Sequence, residues 1–359
     1  MSHLPTSPSR LLPLVALALA ALGLLPAVAR ANDSSFGGRG AELIPLKETR
    51  IKMVSEDIVI EERGGRWVIQ ATYQFENPTA EVVKLQMGFP EEECHPDADC
   101  ADSDHGRFHD MKTTARGAEV PHRVGEVAPE TEWAPSLGRV FLYDLTFQPH
   151  ERVTVVHQYN TGQSTSVDGR EVSYITRTGG LWNGPIGSAR FTIRTLQRPW
   201  AMRWPATFKL ESYVERPTGP GKGVTEIVFA MKSWTPKEDL DLLLANPWFS
   251  PRCPGHPFLG NGMSDAELRQ TLREADDSEL SGCHNLPYAH HGYTFKDKDL
   301  QERFYPAEGA SLVGEDSPNA AVEFMPNPAY SPDLLTLKEH RYVAIVKEEV
   351  KRRKKAAPR

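Results

Sequence analysis

Between Ile51 and Asn77 the chain alternates apolar and polar residues so regularly that only one kind of element fits. Trp67, Ile69, Ala71, Tyr73 and Phe75 take every second position. A strand turns successive side chains to opposite faces, so this row buries one face and wets the other. Gly64-Gly65 stands just before the row and suits a tight hairpin turn. The strand entering that turn carries Ile51 and Met53, then Ile58 and Ile60, and Asn77-Pro78 ends the return strand. Val83, Leu85, Met87 and Phe89 alternate in the same way. So do "RVFLYDLTF" and "RVTVVHQY", the latter with Val153, Val155, His157 and Tyr159 on one face. Short strands with frequent turns predict an antiparallel β-sandwich-like module over residues 36–165.

The stretch 166–250 reads the same way, with "EVSYITRTGGLWNGPIGSARFTIRT", "FKLESYVE" and "VTEIVFAMKSW". It is either a second sandwich-like module or a continuation of the first sheet system. Residues 251–263 are dense in Pro and Gly and read as a linker. Helical signals begin at Ser264, which forms a capping box with Glu267. A second box pairs Thr336 with Glu339. Leu335, Tyr342, Ile345, Val346 and Val350 then share one helical stripe. The expected fold is multidomain and mainly β: one or two antiparallel β-sandwich-like modules, then a small α-helical C-terminal module over 264–357.

The N-terminus sets the expected compartment. Arg10 precedes an apolar run from Leu11 to Val28, and Ala29-Arg30-Ala31 is a small-x-small cleavage signature. Residues 1–31 therefore read as a signal peptide, with cleavage near Ala31/Asn32 and a periplasmic or secreted product. The competing reading is an uncleaved anchor, since the run only just reaches spanning length. No later segment is apolar enough to cross a membrane, so none is expected in the mature chain. The formal charge of −7 becomes −9 once Arg10 and Arg30 are removed. Such a chain lacks the broad positive field that nucleic acid demands. Lys351-Arg352-Arg353-Lys354-Lys355 is a local exception. It reads as a helix end favoured by the dipole, or as a contact with an anionic envelope surface.

Four cysteines allow three pairings. An exported chain favours oxidation, and pairing neighbours gives Cys94–Cys100 and Cys253–Cys283.

The segment "CHNLPYAHHGYTF" concentrates one cysteine, three histidines and two tyrosines. With its continuation "KDKDLQERFY" it resembles the YARHG domain, a small bacterial extracellular module named for a Tyr-Ala-Arg-His-Gly motif. Here the motif reads Tyr288-Ala289-His290-His291-Gly292, with His290 in place of Arg and Pro287 just before it. Phe295, "DLQERF" and a final helix bearing Glu339 fit the family too, over about residues 264–350. The stretches "IKMVSEDIVI", "HQY" and "TGGLWNGPIG" are similar to an exported bacterial domain-of-unknown-function family (family 4424), over about residues 36–250. Neither resemblance implies a reaction.

Three constellations remain as candidate sites. His290 and His291 are adjacent, so on a helix they point about 100° apart, unlike the i, i+4 pairs of zinc-protease motifs. Gly292 is suited to end a helix, and a histidine just before it can bond the last carbonyls. The segment is expected to be a structural turn rather than a binding surface, metal centre or catalytic centre. The loop Cys94–Asp110 holds Asp102, Asp104, His105 and His109, donors that suit Ca²⁺ or Zn²⁺. Its plainer reading is a solvated acidic loop clipped by a disulfide. Trp182 either stacks on a sugar or peptide at a sheet edge or plugs the junction between β modules.

No Gly-x-Ser-x-Gly elbow and no His-Glu-x-x-His occurs, so the reading leans against an enzyme, and no cofactor is implied. The expected function is an exported, non-enzymatic interaction or scaffold protein of the cell envelope. Its partner would be an unknown envelope protein or a cell-wall polymer. The alternatives are a glycan- or peptidoglycan-binding module using Trp182 and Trp133, and a metal-dependent hydrolase centred on the Cys94–Asp110 loop.

Overall fold

A computed structural model describes residues 33–37, 44–91, 107–127, 139–165, 169–196, 198–245, 263–305, 319–322 and 324–356. The fold is mainly β, with four helices gathered at the C-terminal end. The alternating row behaves as its pattern demands. Trp67, Ile69, Ala71, Tyr73 and Phe75 are all buried, along the strand Arg66–Glu76. Gly64 and Gly65 both take positive φ, +58° and +76°, and close the hairpin from the strand Lys52–Arg63. Ile51 and Met53, at and just before its start, are out of phase by one residue with Ile58 and Ile60. The pairing shows why: between Met53 and Ser55 the register slips against the partner strand, so a bulge brings both apolar pairs to the same face.

This hairpin lies in the middle of an eight-stranded sheet. Its order is Leu210–Gly219, Lys222–Trp234, Ile186–Thr195, Lys52–Arg63, Arg66–Glu76, Arg152–Gly162, His109–Ala115, Ala118–Glu119. The pairs are antiparallel except one: Lys52–Arg63 runs parallel to Ile186–Thr195, with Ser55 opposite Ser188 and Glu61 opposite Arg194. The long sheet thus draws strands from both sides of the 165/166 boundary.

Two five-stranded sheets share its apolar core. One comprises Ile44–Leu46, Ser34–Gly37, Val83–Pro90, Arg139–Phe147 and Arg123–Glu126. Phe89 and Phe147 of this sheet meet His157 and Phe75 of the long sheet, with ring centres 4.2 and 6.4 Å apart. The other comprises Ser164–Thr165, Gly169–Tyr174, Leu240–Ala245, Ala201–Pro205 and Asn319–Val322. Its Tyr174 and Trp204 pack on Phe191 and Phe229. One continuous apolar core therefore runs beneath all three sheets, and burial of this aromatic set is the main force holding them together.

The helices follow. α1 is Asp265–Glu274, α2 Asp277–His290, α3 Lys298–Phe304 and α4 Leu337–Ala356. The capping box at Ser264 and Glu267 forms in both directions, and Asp276 with Glu279 adds another for α2. Thr336 and Glu339 also cap each other reciprocally at the start of α4. Leu335, Tyr342, Ile345 and Val346 are buried as their spacing predicts, and Val350 is half-buried. A second apolar cluster joins the helices to the smaller sheet: Trp200, Ala201, Leu243 and Ala245 meet Leu268, Leu286, Ala289 and Val346. No helix among the described residues is long and apolar enough to cross a membrane.

Within the basic tail, α4 continues to Ala356. Arg353 donates to the carbonyls of Leu272, Arg273 and Ala275, closing the C-terminal end of α1, and also meets Asp277. Arg352 is paired with Glu349.

Candidate functional site at the junction of sheet and helices

The Tyr288–Gly292 segment ends α2. His290 is the last helical residue, His291 caps it, and Gly292 reverses the chain at φ +80°. The amide of Tyr293 donates to the carbonyl of Tyr288, and that of Gly292 to Ala289, a left-handed helix stop. Only glycine fits here. A Cβ on Gly292 would lie 2.5 Å from the backbone nitrogen of Asn327, which donates to the Gly292 carbonyl. The turn therefore forms as the sequence predicts.

Its histidines do something else. The ring of His291 does not bond its own helix's carbonyls; it spans two other elements. Nδ1 lies 2.9 Å from Oε2 of Glu215, on the edge strand Leu210–Gly219. Nε2 lies 3.2 Å from Oε1 of Glu339, in the first turn of α4. Arg198 stands behind Glu215, 3.6 Å from the same oxygen. Its guanidinium lies over the Tyr213 ring and donates to the Met325 carbonyl. Arg198, Glu215, His291 and Glu339 are all buried.

Burial opposes the charged form of His291. Its hydrogen bonds to Glu215 and Glu339, and their negative charge, outweigh that and raise its pKa to about 9. Burial likewise works against the Glu339 carboxylate, yet the contact with His291 and the Thr336 cap hold it below its ordinary value. Arg198 and His291 thus alternate with Glu215 and Glu339 in one buried quartet. It ties the edge of the long sheet to α2 and α4.

Asn327 completes the seam. Its side chain donates to the Glu215 carbonyl and accepts from the Glu215 amide, standing in for a missing neighbour strand. Next to it opens a cleft of about 490 Å³, lined by Arg198, Trp200, Lys222, Val224, His290 and His291 among others. His290 lies nearly parallel to Trp200, ring centres 5.0 Å apart. Neither Glu215, in the innocuous stretch "FKLESYVE", nor Arg198 stood out in the sequence. Glu339 stood out as a cap and within the family resemblance, not as a partner of His291.

The other candidates fare differently. Trp182 is 3 % exposed, donates to the Asp33 carbonyl and packs 4.8 Å from Phe75. It offers no stacking face to a ligand, which corrects its reading as a binding surface, and it fills the core as a plug. Asp102, Asp104, His105 and Trp133 lie outside the described residues. His109 opens the strand His109–Ala115 and is half-buried. Cys283 is buried in α2 and is no free thiol. Cys94, Cys100 and Cys253 lie outside the described residues, so the expected pairing of Cys94–Cys100 and Cys253–Cys283 is not visible there.

A hydrogen-bonded row unforeseen in the sequence sits in the core. Thr113 Oγ1 lies 2.9 Å from His157 Nδ1, and His157 Nε2 lies 3.0 Å from Asp33 Oδ2, which also accepts from Tyr143. The order is that of a nucleophile, base and acid. All three are sealed beneath Phe89 and Tyr143, and a nucleophile with no open side cannot meet a substrate.

Residues 31–132 match the family described as "Domain of unknown function (DUF4424)". No curated protein matches the chain. Among solved structures, a "putative nutrient binding protein" from Legionella pneumophila subsp. pneumophila str. Philadelphia 1 is 20 % identical. The alignment covers 90 % of this chain and 99 % of that one, with a TM-score of 0.48. An M1 zinc metallopeptidase from Deinococcus radiodurans is 14 % identical over 55 % of this chain and 43 % of its own, with a TM-score of 0.30. Similarity at this level transfers no activity to this chain.

Proposed function

We propose that this is an exported, non-enzymatic protein of the cell envelope that acts by binding a partner, with its C-terminal helices, read as a YARHG-like module, docked on a β-sandwich-like body. The observation that carries the reading is the buried quartet of Arg198, Glu215, His291 and Glu339. Its ionisable groups are spent on one another and on joining sheet to helices. Groups paired in this way hold the elements that bear them together. The module's conspicuous motif therefore serves assembly, and its outer surface is left for recognition. Export rests on the leader-like residues 1–31, and the disulfides Cys94–Cys100 and Cys253–Cys283 would suit that compartment. The test is in-cell cross-linking followed by mass spectrometry of envelope fractions. Recovery of one recurrent partner supports the reading, and the absence of any stable partner counts against it.

A cell-wall glycan reading keeps one supporting observation, the junction cleft with Trp200 and His290 on its wall. It has lost Trp182 as a platform. Failure to bind purified cell wall in a pull-down would remove it. The hydrolase reading centred on Cys94–Asp110 stays tied to residues outside those described, and metal analysis of the purified protein tests it.

A further inference from the structure

We propose that His290, His291 and Glu339 form a binding site for one divalent transition-metal ion, with Zn²⁺ the best match, at the wall of the junction cleft. Adjacent histidines on a continuous helix diverge. Here the helix ends between them, so the two rings converge to a centre separation of 4.9 Å at an angle of 63°. One ligand atom from each of the three residues falls within 4.8 Å of the others. His291 Nε2 and Glu339 Oε1 are already 3.2 Å apart. Two donors on a tetrahedral zinc, with bonds of about 2.0–2.1 Å, sit roughly 3.3 Å apart. Closing the set on His290 needs side-chain shifts of up to roughly 1.5 Å.

The groups around the three residues fit the same chemistry. A ligating histidine commonly passes its other ring N–H to a carboxylate, which fixes the tautomer and makes the free nitrogen more basic. Glu215 occupies that place, 2.9 Å from His291 Nδ1. Arg198 lies beside Glu215 and balances its charge, leaving the Glu339 charge for the ion. Glu339 is steadied in turn by the Thr336 amide, which donates to its other oxygen at 2.7 Å. The ion would take the place of the proton between Nε2 and Glu339, and that proton passes to solvent. Both histidines line the cleft, so the ion has an entry path and an open side for water or an anionic group. This goes beyond the interaction reading, which stands or falls on partners and not on metal.

The test uses the full mature chain, stripped with chelator and titrated with Zn²⁺ alone by calorimetry, with metal content measured after dialysis. Co²⁺ replacement adds a visible spectrum that reports the coordination geometry. The expected result is one equivalent per chain. His290→Gln should weaken binding on the order of 100-fold, with circular dichroism and melting of the chelator-treated wild type and variant compared so that lost binding is separated from lost fold. Glu339→Gln should weaken it similarly, but it also removes a buried ion partner, so His290→Gln is the deciding variant. Wild-type protein that retains no metal at micromolar free Zn²⁺ overturns the proposal. So does stoichiometric binding that survives His290→Gln, or that disappears with His109→Ala instead.

Discussion

Two buried histidines in this molecule do opposite jobs. His157 sits in the middle of the β core, bonded to Thr113 and Asp33 and covered by Phe89. His291 sits at a seam, gripped from both sides by carboxylates 76 residues before it and 48 residues after it in the chain. The first is sealed within the layers that it helps to hold together. The second joins parts that the chain builds separately, at the wall of a cleft. Burial alone does not distinguish them; what faces each ring does. The ring between two carboxylates gains a charge and locks two separate elements together, whereas the ring beneath Phe89 is shut inside the core.

The comparison can be broken at either end. The largest effect is expected for His157→Ala. It removes one of the partners of buried Asp33 and leaves a void under Phe89, at a cost of about 4 kcal/mol in urea denaturation, or no soluble fold at all. A loss under about 1 kcal/mol would mean that the core row does not tie the sheets together. Gly292→Ala comes next, at about 3 kcal/mol, because the left-handed backbone and the contact with Asn327 both oppose a side chain. Limited proteolysis should then release the helices before the β core is cut. Unchanged protease resistance would show that the turn does not anchor them.

Glu339→Gln should cost on the order of 2–3 kcal/mol at pH 7, and the pH dependence gives a sharper readout. The His291 pKa in the folded chain, about 9, lies above its ordinary value of 6.5. Its stabilisation is therefore fully present below about pH 6.5 and is lost as pH rises through about 9. In chelator-treated protein the melting temperature should fall between pH 7 and pH 9.5, and Glu339→Gln should flatten that fall. A wild-type profile already flat in this window would mean that the ring carries no charge between Glu215 and Glu339. The smallest effect belongs to the exposed pair Arg190–Glu211, side chains 47 % and 48 % exposed. Arg190→Ala should change stability by less than about 1 kcal/mol, an upper limit for charge at the surface against charge in the seam.

Much of the fold was legible because its signals are local. The Trp67–Phe75 alternation, the Gly64-Gly65 turn, the caps at Ser264 and Thr336 and the stop at Gly292 each depend on a few neighbouring residues. The bulge between Ile51–Met53 and Ile58–Ile60 emerged only from the strand pairing. What stayed hidden is what the chain does at a distance. No periodicity says that Lys52–Arg63 will lie parallel to Ile186–Thr195. A glutamate at position 215 looks like any solvent-facing strand residue until Asn327 and His291 cover it. The approach of the His290 and His291 rings was not legible because the 100° spacing applies within a helix, and the helix stops between them.

That one parallel pair also orders events in time. Ser55 must wait for Ser188, made 133 residues later, before the strand Lys52–Arg63 has a neighbour on that side. During synthesis the Lys52–Glu76 hairpin stands with an open edge in the centre of the future sheet, where an unpaired strand is most prone to join the wrong one. Closure over so long a loop is slow. The outer faces are charged accordingly: Glu61 and Arg194 meet across the late-forming pair at 2.6 Å. A chain cut before Ile186 should leave the amides facing that edge open to hydrogen exchange, and a chain reaching Trp234 should protect them.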